Sequence, residues 1–165
     1  MMLKFFNKNF NISFSIVALI YFLDRLSKIF VIQLDKNSFG SEIFSSAYLN
    51  IVLIWNKGIA FGLLSFDELH LYNILTLLIS IVVVILVIMS LKNEGFKRYS
   101  LLMIVGGALG NLHDRIFSNA VPDFIDFHIG NFHWFIFNVS DIFITLGVIS
   151  MIILELADNR IEKIK

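Results

Sequence analysis

Long apolar runs separated by short polar stretches dominate the pattern of the chain. A helix needs about 20 mostly apolar residues to cross a bilayer. Four segments reach that length, at about residues 12–32, 69–91, 99–117 and 135–156. The pattern therefore predicts an all-α membrane protein with four transmembrane helices, forming one domain over residues 1–165.

The two longer connections differ in character from the apolar runs. Within residues 33–68, the stretch 47–55 is rich in large apolar and β-branched residues, which is typical of strands. Residues 118–134 are amphiphilic and aromatic, which favours a loop or helix in the membrane interface. We therefore expect a small extracytoplasmic β-rich loop region and an interfacial loop or helix.

The placement of Lys and Arg predicts the orientation of the four helices. Lys36 and Lys57 are the two basic residues in these connections, against eight in the remaining non-spanning segments. Those eight are Lys4, Lys8, Lys92, Lys97, Arg98, Arg160, Lys163 and Lys165. Because cytoplasmic loops are enriched in Lys and Arg, both termini should be cytoplasmic and the two longer connections should face outward.

The composition limits the kinds of partner and catalytic group that the chain can use. The chain is 58% hydrophobic with a mean hydropathy of +0.82, and its formal net charge of zero gives no indication of a nucleic-acid partner. The absence of Cys excludes disulfides and thiol nucleophiles. The four His residues form no H-E-x-x-H pattern, so we expect no catalytic metal and no cofactor.

Polar side chains inside the predicted spans cluster at one depth. Counted from the inner end, Asp24 and Asn111 each lie roughly 18 Å along their helices. Asp141 is about two turns into a helix that starts outside, and Asp123 follows the third span at its outer rim. Since charge within a bilayer is costly, this cluster indicates a functional site in the outer half of the membrane.

Sequence spacing indicates which of these side chains share a helix face. Pairs separated by three or four residues are neighbours on a helix. Three sets have this spacing: Asp24 with Lys28; Asn111 with Asp114 and Arg115; and Asn138 with Asp141. Gly106 and Gly110 have the G-x-x-x-G spacing that allows close helix packing. Buried ion pairs that only fix the packing of the helices remain an alternative interpretation of the charged sets.

Two carboxylates at the outer surface, Asp123 and Asp141, suggest aspartic-protease chemistry. Neighbouring carboxylates share a proton, so one can activate water while the other polarises a carbonyl group. Asp126 is a third candidate nearby. The alternative is that both acids only cap helices or pair with Arg115.

At these residues the chain resembles the lipoprotein signal peptidase family, also called signal peptidase II. Five stretches carry the resemblance, in the order and spacing of the family: DRLSK at 24–28, NKGIAFG at 56–62, GGALGNLHDR at 106–115, VPDFIDF at 121–127 and FNVSD at 137–141. Ser140 stands where the family usually has Ala, and Pro122 lies beside the first candidate Asp.

The resemblance implies an aspartic endopeptidase of the bacterial cytoplasmic (inner) membrane with Asp123 and Asp141 as its catalytic dyad. It implies that Asn56, Asn111, Arg115 and Asn138 line the dyad and the substrate backbone, and that Asp24, Lys28 and Asp114 hold the helices together. The implied partners are membrane lipid and lipid-modified prolipoproteins, which the family cleaves just before a diacylglyceryl-modified Cys. The aromatic residues Phe61, Phe66, Phe124 and Phe127 would clamp lipid and peptide, or only anchor the interface.

The rival hypothesis is a small membrane transporter or proton-conducting protein, because intramembrane Asp and Arg also mark ion paths. Such a path needs polar residues through the full depth of the membrane. The inner halves of the predicted spans are almost free of charge, which favours the peptidase.

Overall fold

The computed structural model describes residues 2–38, 42–58 and 69–162. The described residues form four long helices and four strands, in the order α1, β1, β2, α2, α3, β3, β4, α4. The helices are α1 (Met2–Ser38), α2 (Leu69–Lys92), α3 (Gly95–Ser118) and α4 (Val139–Glu162). The strands are β1 (Phe44–Ser45), β2 (Leu49–Asn56), β3 (Val121–Ile129) and β4 (Phe132–Phe137).

Helix α3 is the centre of the helical part and packs against α1, α2 and α4. Its glycines allow this close approach. A Cβ atom at Gly106 would lie 2.9 Å from Cβ of Ile20 on α1, and one at Gly107 would lie 2.5 Å from the carbonyl oxygen of Ser140 on α4. A Cβ at Gly110 would collide with side-chain atoms of Asp24 and Ser140. Side chains here would force the helices apart, as the G-x-x-x-G spacing suggested.

The strands form one antiparallel sheet in the order β1-β2-β3-β4. Strand β2 confirms the prediction of strands near residues 47–55. The prediction of an interfacial loop or helix over 118–134 is wrong, because most of that segment belongs to the β3–β4 hairpin. Its turn contains Gly130 with φ of +59°. Gly-Asn between two runs of aromatic and β-branched residues is a hairpin signal, and it decides the structure of this segment.

Two helix boundaries differ from the apolar pattern. The fourth helix begins at Val139 rather than near residue 135, because the preceding apolar residues belong to β4. Helix α1 has 37 residues, so it is about 55 Å long and exceeds the thickness of the hydrocarbon core. Asn119 caps the end of α3 in the left-handed conformation, with φ of 53°.

The outer faces of the helices expose large apolar side chains, including Leu77 and Val84 on α2 and Ile153 on α4. Two segments, His70–Lys92 and Val139–Asp158, are long and apolar enough to cross a membrane by themselves. Helices α1 and α3 contain the charged and amide side chains described below, which lower their hydropathy. An apolar outer face around a polar interior is the arrangement expected of a protein surrounded by lipid.

Candidate active site

Asp123 lies near the start of β3 with only 5% of its surface exposed. Its two carboxylate oxygens accept hydrogen bonds from two amides, one from each side. Nδ2 of Asn56 at the end of β2 donates to Oδ2 at 2.8 Å, and Nδ2 of Asn138 donates to Oδ1 at 2.6 Å. Burial raises the pKa of Asp123 to about 6, and the negative charge of Asp141 adds to this effect while the two amide donors oppose it.

Asp141 occupies the first turn of α4, where it forms a reciprocal cap with Asn138. The backbone N–H of Asn138 donates to Oδ2 of Asp141 at 3.1 Å, and the backbone N–H of Asp141 donates to Oδ1 of Asn138 at 3.2 Å. This is the geometry of a capping box, with Asn and Asp in place of the usual residues. Nδ2 of Asn111 on α3 donates to the second oxygen, Oδ1 of Asp141, at 2.8 Å.

Asn138 therefore connects the two acids. Its side-chain nitrogen donates to Asp123, while its backbone and side-chain oxygen bond to Asp141. Asn138 is fully buried, so water does not compete for these bonds. Each of the four carboxylate oxygens accepts an N–H from an uncharged group, which leaves further lone pairs available for a water molecule.

A buried network of charges lies behind Asn111 and joins α1 to α3. Nζ of Lys28 contacts Oδ2 of Asp24 at 2.9 Å, Oδ2 of Asp114 at 2.7 Å and Oδ1 of Asn111 at 2.8 Å. Arg25 contacts Asp114 at 2.6 Å and Asp24 at 3.0 Å. The two negative and two positive formal charges of this network sum to zero. The three acceptors around Nζ of Lys28 match its three N–H donors.

This network fixes the orientation of the Asn111 amide. The oxygen of Asn111 accepts a hydrogen bond from Lys28, so its nitrogen is directed at Asp141. A flipped amide would place its NH₂ group against an ammonium and its oxygen against a carboxylate, with both contacts repulsive. Asp24 also accepts the backbone N–H of Ser140 at 3.1 Å, and a carboxylate in that position stabilises the N-terminus of α4.

Arg115 extends from the last turn of α3 to the segment after β2. Its Nη2 donates to the carbonyl oxygen of Gly58 at 2.8 Å and its Nη1 to that of Asn111 at 3.1 Å. Nε of Arg115 is buried and has no hydrogen-bond partner among the described residues. The side chain of Asn56 also accepts the N–H of Gly58 at 2.7 Å, so Arg115 and Asn56 hold the same turn.

Comparison with known proteins decides the family. A model of the family described as signal peptidase (SPase) II matches residues 16–157. The chain is 46% identical over 153 residues to the lipoprotein signal peptidase of Pelagibacter ubique, covering 93% of this chain and 92% of that protein. This chain belongs to the signal peptidase II family. It is therefore a peptidase, and the transporter hypothesis is not carried further.

Other members of the signal peptidase II family, and solved structures, agree with this assignment. The lipoprotein signal peptidase of Francisella tularensis subsp. novicida is 38% identical over 126 residues, which are 74% of this chain and 78% of that protein. A bacterial membrane enzyme solved by the in meso method at 1.9 Å resolution has a TM-score of 0.73 and 31% identity, covering 90% of this chain and 94% of the other. The helices and the small sheet thus have the fold of a membrane enzyme.

One sequence-based expectation about this signal peptidase II family member needs correction, and one alternative that the spacing left open is not observed. Asp141 does not lie two turns into its helix but in the first turn, because α4 begins four residues later than the apolar pattern indicated. Asp114 does not pair with the neighbouring Arg115, and it contacts Arg25 and Lys28 instead. Adjacent residues point in different directions on a helix, which explains the choice of partners.

Asp126 lies away from the pair formed by Asp123 and Asp141. It is buried on β3, where it contacts Nδ1 of His133 at 2.8 Å and Nδ2 of Asn50 at 3.4 Å. Among the aromatic residues expected to clamp the substrate, Phe124 is buried and Phe127 is exposed. The other two, Phe61 and Phe66, lie outside the described residues.

Tyr72 is a candidate site residue that the sequence analysis did not identify. It is the only Tyr in α2 and its exposed fraction is 2%, yet its hydroxyl has no hydrogen-bond partner among the described residues. It lies close enough to Arg115 and Asp114 to feel their charges. A single Tyr in an apolar helix is a weak signal, and only the fold places it near the site.

Proposed function

We propose that this peptidase removes the signal peptide from diacylglyceryl-modified prolipoproteins by cleaving just before the lipidated Cys, with Asp123 and Asp141 as its catalytic dyad. The observation that carries this proposal is the position of Asn138, which bonds to both carboxylates at once. Membership of the signal peptidase II family supports the reaction, and the hydrogen bonds of the two acids support the dyad.

The electrostatics suit a shared proton. The pKa of Asp123 is raised to about 6, so the pair keeps a proton to a higher pH than an ordinary Asp would, up to about pH 6. The donors around the pair are amides, which keep their charge state at every pH. The proton therefore belongs to the pair as a unit, and the two apparent pKa values of the reaction describe the pair rather than either residue.

Hydrolysis then proceeds by direct attack of water. The ionised carboxylate takes a proton from a water molecule, whose oxygen forms a bond to the scissile carbonyl carbon while the protonated carboxyl donates its proton to the carbonyl oxygen. The resulting neutral tetrahedral species has two hydroxyl groups. Its collapse breaks the C–N bond, with one proton returning to the dyad and one passing to the leaving amine. No cofactor is needed in these steps.

Arg115 and Tyr72 are placed to bind the substrate backbone. Each has a buried polar atom without a hydrogen-bond partner among the described residues, Nε of Arg115 and the hydroxyl of Tyr72. A buried donor without a partner is costly, so an incoming peptide carbonyl would relieve that cost. The planar donor fork of Arg115 suits this role, because it holds Gly58 through one nitrogen while keeping another for the substrate.

The dyad would meet its substrate at the outer surface of the membrane. All four helices span the bilayer in this proposal, with both termini in the cytoplasm and the sheet outside. Asp141 in the first turn of α4 and Arg115 in the last turn of α3 lie at the end of the bundle next to the sheet. A signal helix in the bilayer and a lipid anchor in the outer leaflet would bring the scissile bond to that depth.

The decisive experiment is cleavage of a lipid-modified prolipoprotein by the purified protein in detergent. Asp123→Asn and Asp141→Asn each preserve size and should each abolish cleavage, because the two acids act as one unit. Substrate should still bind both variants, and the wild-type pH–rate profile should be bell-shaped. Asp126→Asn is the matched control and should be much milder.

Two results would contradict this mechanism. Loss of activity in Asp126→Asn together with retention in Asp123→Asn would identify the other acid of β3 as catalytic. Trapping of a covalent peptide–enzyme intermediate would exclude direct attack by water.

A further inference from the structure

Three side chains of types that can bind a metal ion lie close together on the β3–β4 hairpin, and neither Asp123 nor Asp141 is among them. They are Asp126 and His128 on β3 and His133 on β4, and one ligand atom from each lies within 4.8 Å of the others. No spacing in the sequence indicated this group, because it depends on the pairing of two strands. The H-E-x-x-H pattern is a helical zinc motif, so its absence from the chain does not bear on ligands that lie on two paired strands.

The register of the hairpin creates the cluster. His128 and His133 are direct partners across the two strands, and their rings stack at 4.9 Å between centroids with 19° between planes. Asp126 and His128 are two residues apart on β3, so they project from the same side of the strand. A shift in register between these two residues brings His133 to Asp126 as well, with Nδ1 of His133 2.8 Å from Oδ2.

The polar atoms of the cluster are incompletely satisfied. Nδ1 of His128 is buried and has no hydrogen-bond partner among the residues described. A buried polar atom left without a partner destabilises the fold, and a cation ligated by these atoms would remove that cost.

We propose that Asp126, His128 and His133 bind a Zn²⁺ ion, with water as the fourth ligand. Two imidazole nitrogens and one carboxylate oxygen are a ligand set that Zn²⁺ accepts, whereas Ca²⁺ and Mg²⁺ prefer oxygen alone. Tetrahedral Zn²⁺ with bonds of about 2.0–2.1 Å needs ligand atoms about 3.3 Å apart. The ligand atoms lie within 4.8 Å of one another, so side-chain rotations would have to shorten their separations by up to about 1.5 Å.

Zn²⁺ binding needs no other chemical change than a move of one proton. In the neutral tautomer that carries its hydrogen on Nδ1, His133 donates that hydrogen to Oδ2 of Asp126, 2.8 Å away. If Nδ1 binds the metal, this hydrogen moves to Nε2, and the carboxylate remains ionised as a ligand. The ion would link β3 to β4 and stabilise the hairpin whose first strand also contains Asp123, three residues before Asp126. It would act on the stability of the sheet and take no part in hydrolysis.

The test is zinc binding to the full-length protein in detergent, after removal of any affinity tag and of bound metal. Isothermal titration with ZnCl₂ should show one ion per chain, and free Zn²⁺ should raise Tm in a saturable manner, since binding to the folded state stabilises it. Co²⁺ in place of Zn²⁺ should give the visible absorption of four-coordinate nitrogen and oxygen ligation. None of these measurements depends on peptidase activity.

Matched variants separate this site from nonspecific binding. His128→Phe keeps an aromatic ring in the stack but removes the ligand, and it should weaken Zn²⁺ binding by more than about tenfold, because even loss of a residue that only supports a ligand costs about 10–100-fold. His70→Phe removes an exposed His outside the cluster and should bind Zn²⁺ as the wild type does. Equal affinity in the wild type and His128→Phe, or no saturable binding in the wild type, would overturn the proposal. Asp126→Asn removes the third ligand of the same site. If that variant does not fold, zinc binding to His128→Phe alone tests the proposal.

Discussion

Replacing Asn138 by Ser separates the two tasks of this side chain. Ser is as good an N-cap as Asn, so the hydroxyl can still accept the backbone N–H of Asp141. Ser is too short to replace the amide nitrogen that donates to Oδ1 of Asp123 at 2.6 Å. The variant therefore keeps the start of α4 and removes one of the two amide donors of Asp123.

The size of the effect follows from the lost bond. A hydrogen bond to a charged group contributes about 1.5–3 kcal/mol, so its loss from the transition state should lower kcat/KM by roughly 10–100-fold. The amide stabilises the ionised form of Asp123 and so lowers its pKa, which means that removing the amide raises that pKa above its present value of about 6. The pair then keeps its proton to higher pH, and the alkaline limb of the pH–rate profile should move up by about one unit.

The assay is the pH–rate profile of prolipoprotein cleavage, measured together with Tm. Asn138→Ala is the comparison, because it also loses the cap and should be less stable by about a further 1 kcal/mol. A Ser variant with wild-type rate and an unmoved alkaline limb would refute the reasoning, since Asn138 would then serve only as a helix cap.

Three further predictions test the parts around the dyad. Arg115→Lys should lose most cleavage activity while Tm changes little, since one ammonium cannot bind the carbonyl groups of Gly58 and Asn111 in a planar fork. If this variant cleaves as fast as the wild type, only the positive charge of Arg115 matters for activity. Lys28→Met should lower the free energy of unfolding by about 3–5 kcal/mol, because among the described residues it leaves Asp24 and Asp114 with Arg25 as their remaining cationic partner. Lys97→Met, at a surface ion pair, should change it much less, and equal losses for the two variants would contradict the network. A reporter fused after Lys165 should be cytoplasmic and one inserted near Ser41 external, and the reverse result would overturn the proposed orientation.

The apolar pattern predicts the helical part of the fold, because each helix contains one continuous apolar run. The second predicted span, residues 69–91, ends within one residue of α2. The pattern failed where an apolar run changes structure within itself. Phe135 to Phe137 are as apolar as the helix that follows, and only the Gly130 turn shows that they belong to a strand.

The residue types of the candidate site could be predicted from the sequence, but the contacts between separate elements could not. Spacing on α1 correctly paired Asp24 with Lys28, since both lie on one helix. The contact between Asn138 and Asp123 joins the residue before α4 to β3, and no local pattern predicts a contact between separate elements. The same limit hid the cluster of Asp126, His128 and His133, which depends on strand register.

The charge network across α1 and α3 also has a consequence for biosynthesis. Chains are made from the N-terminus, so α1, which spans the membrane in the proposed topology, would enter it before α3 exists to supply Asp114. During that interval, Lys28 can already neutralise Asp24 one turn away on the same helix, with Arg25 adjacent. Helix α1 thus contains its own cationic partner for Asp24, and α3 later adds Asp114 and Asn111 to the network. If Asp123 and Asp141 form the catalytic dyad as proposed, Asp141 arrives with the last helix, so an unfinished chain at the translocon would hold no complete dyad and would have no means to cut a neighbouring precursor.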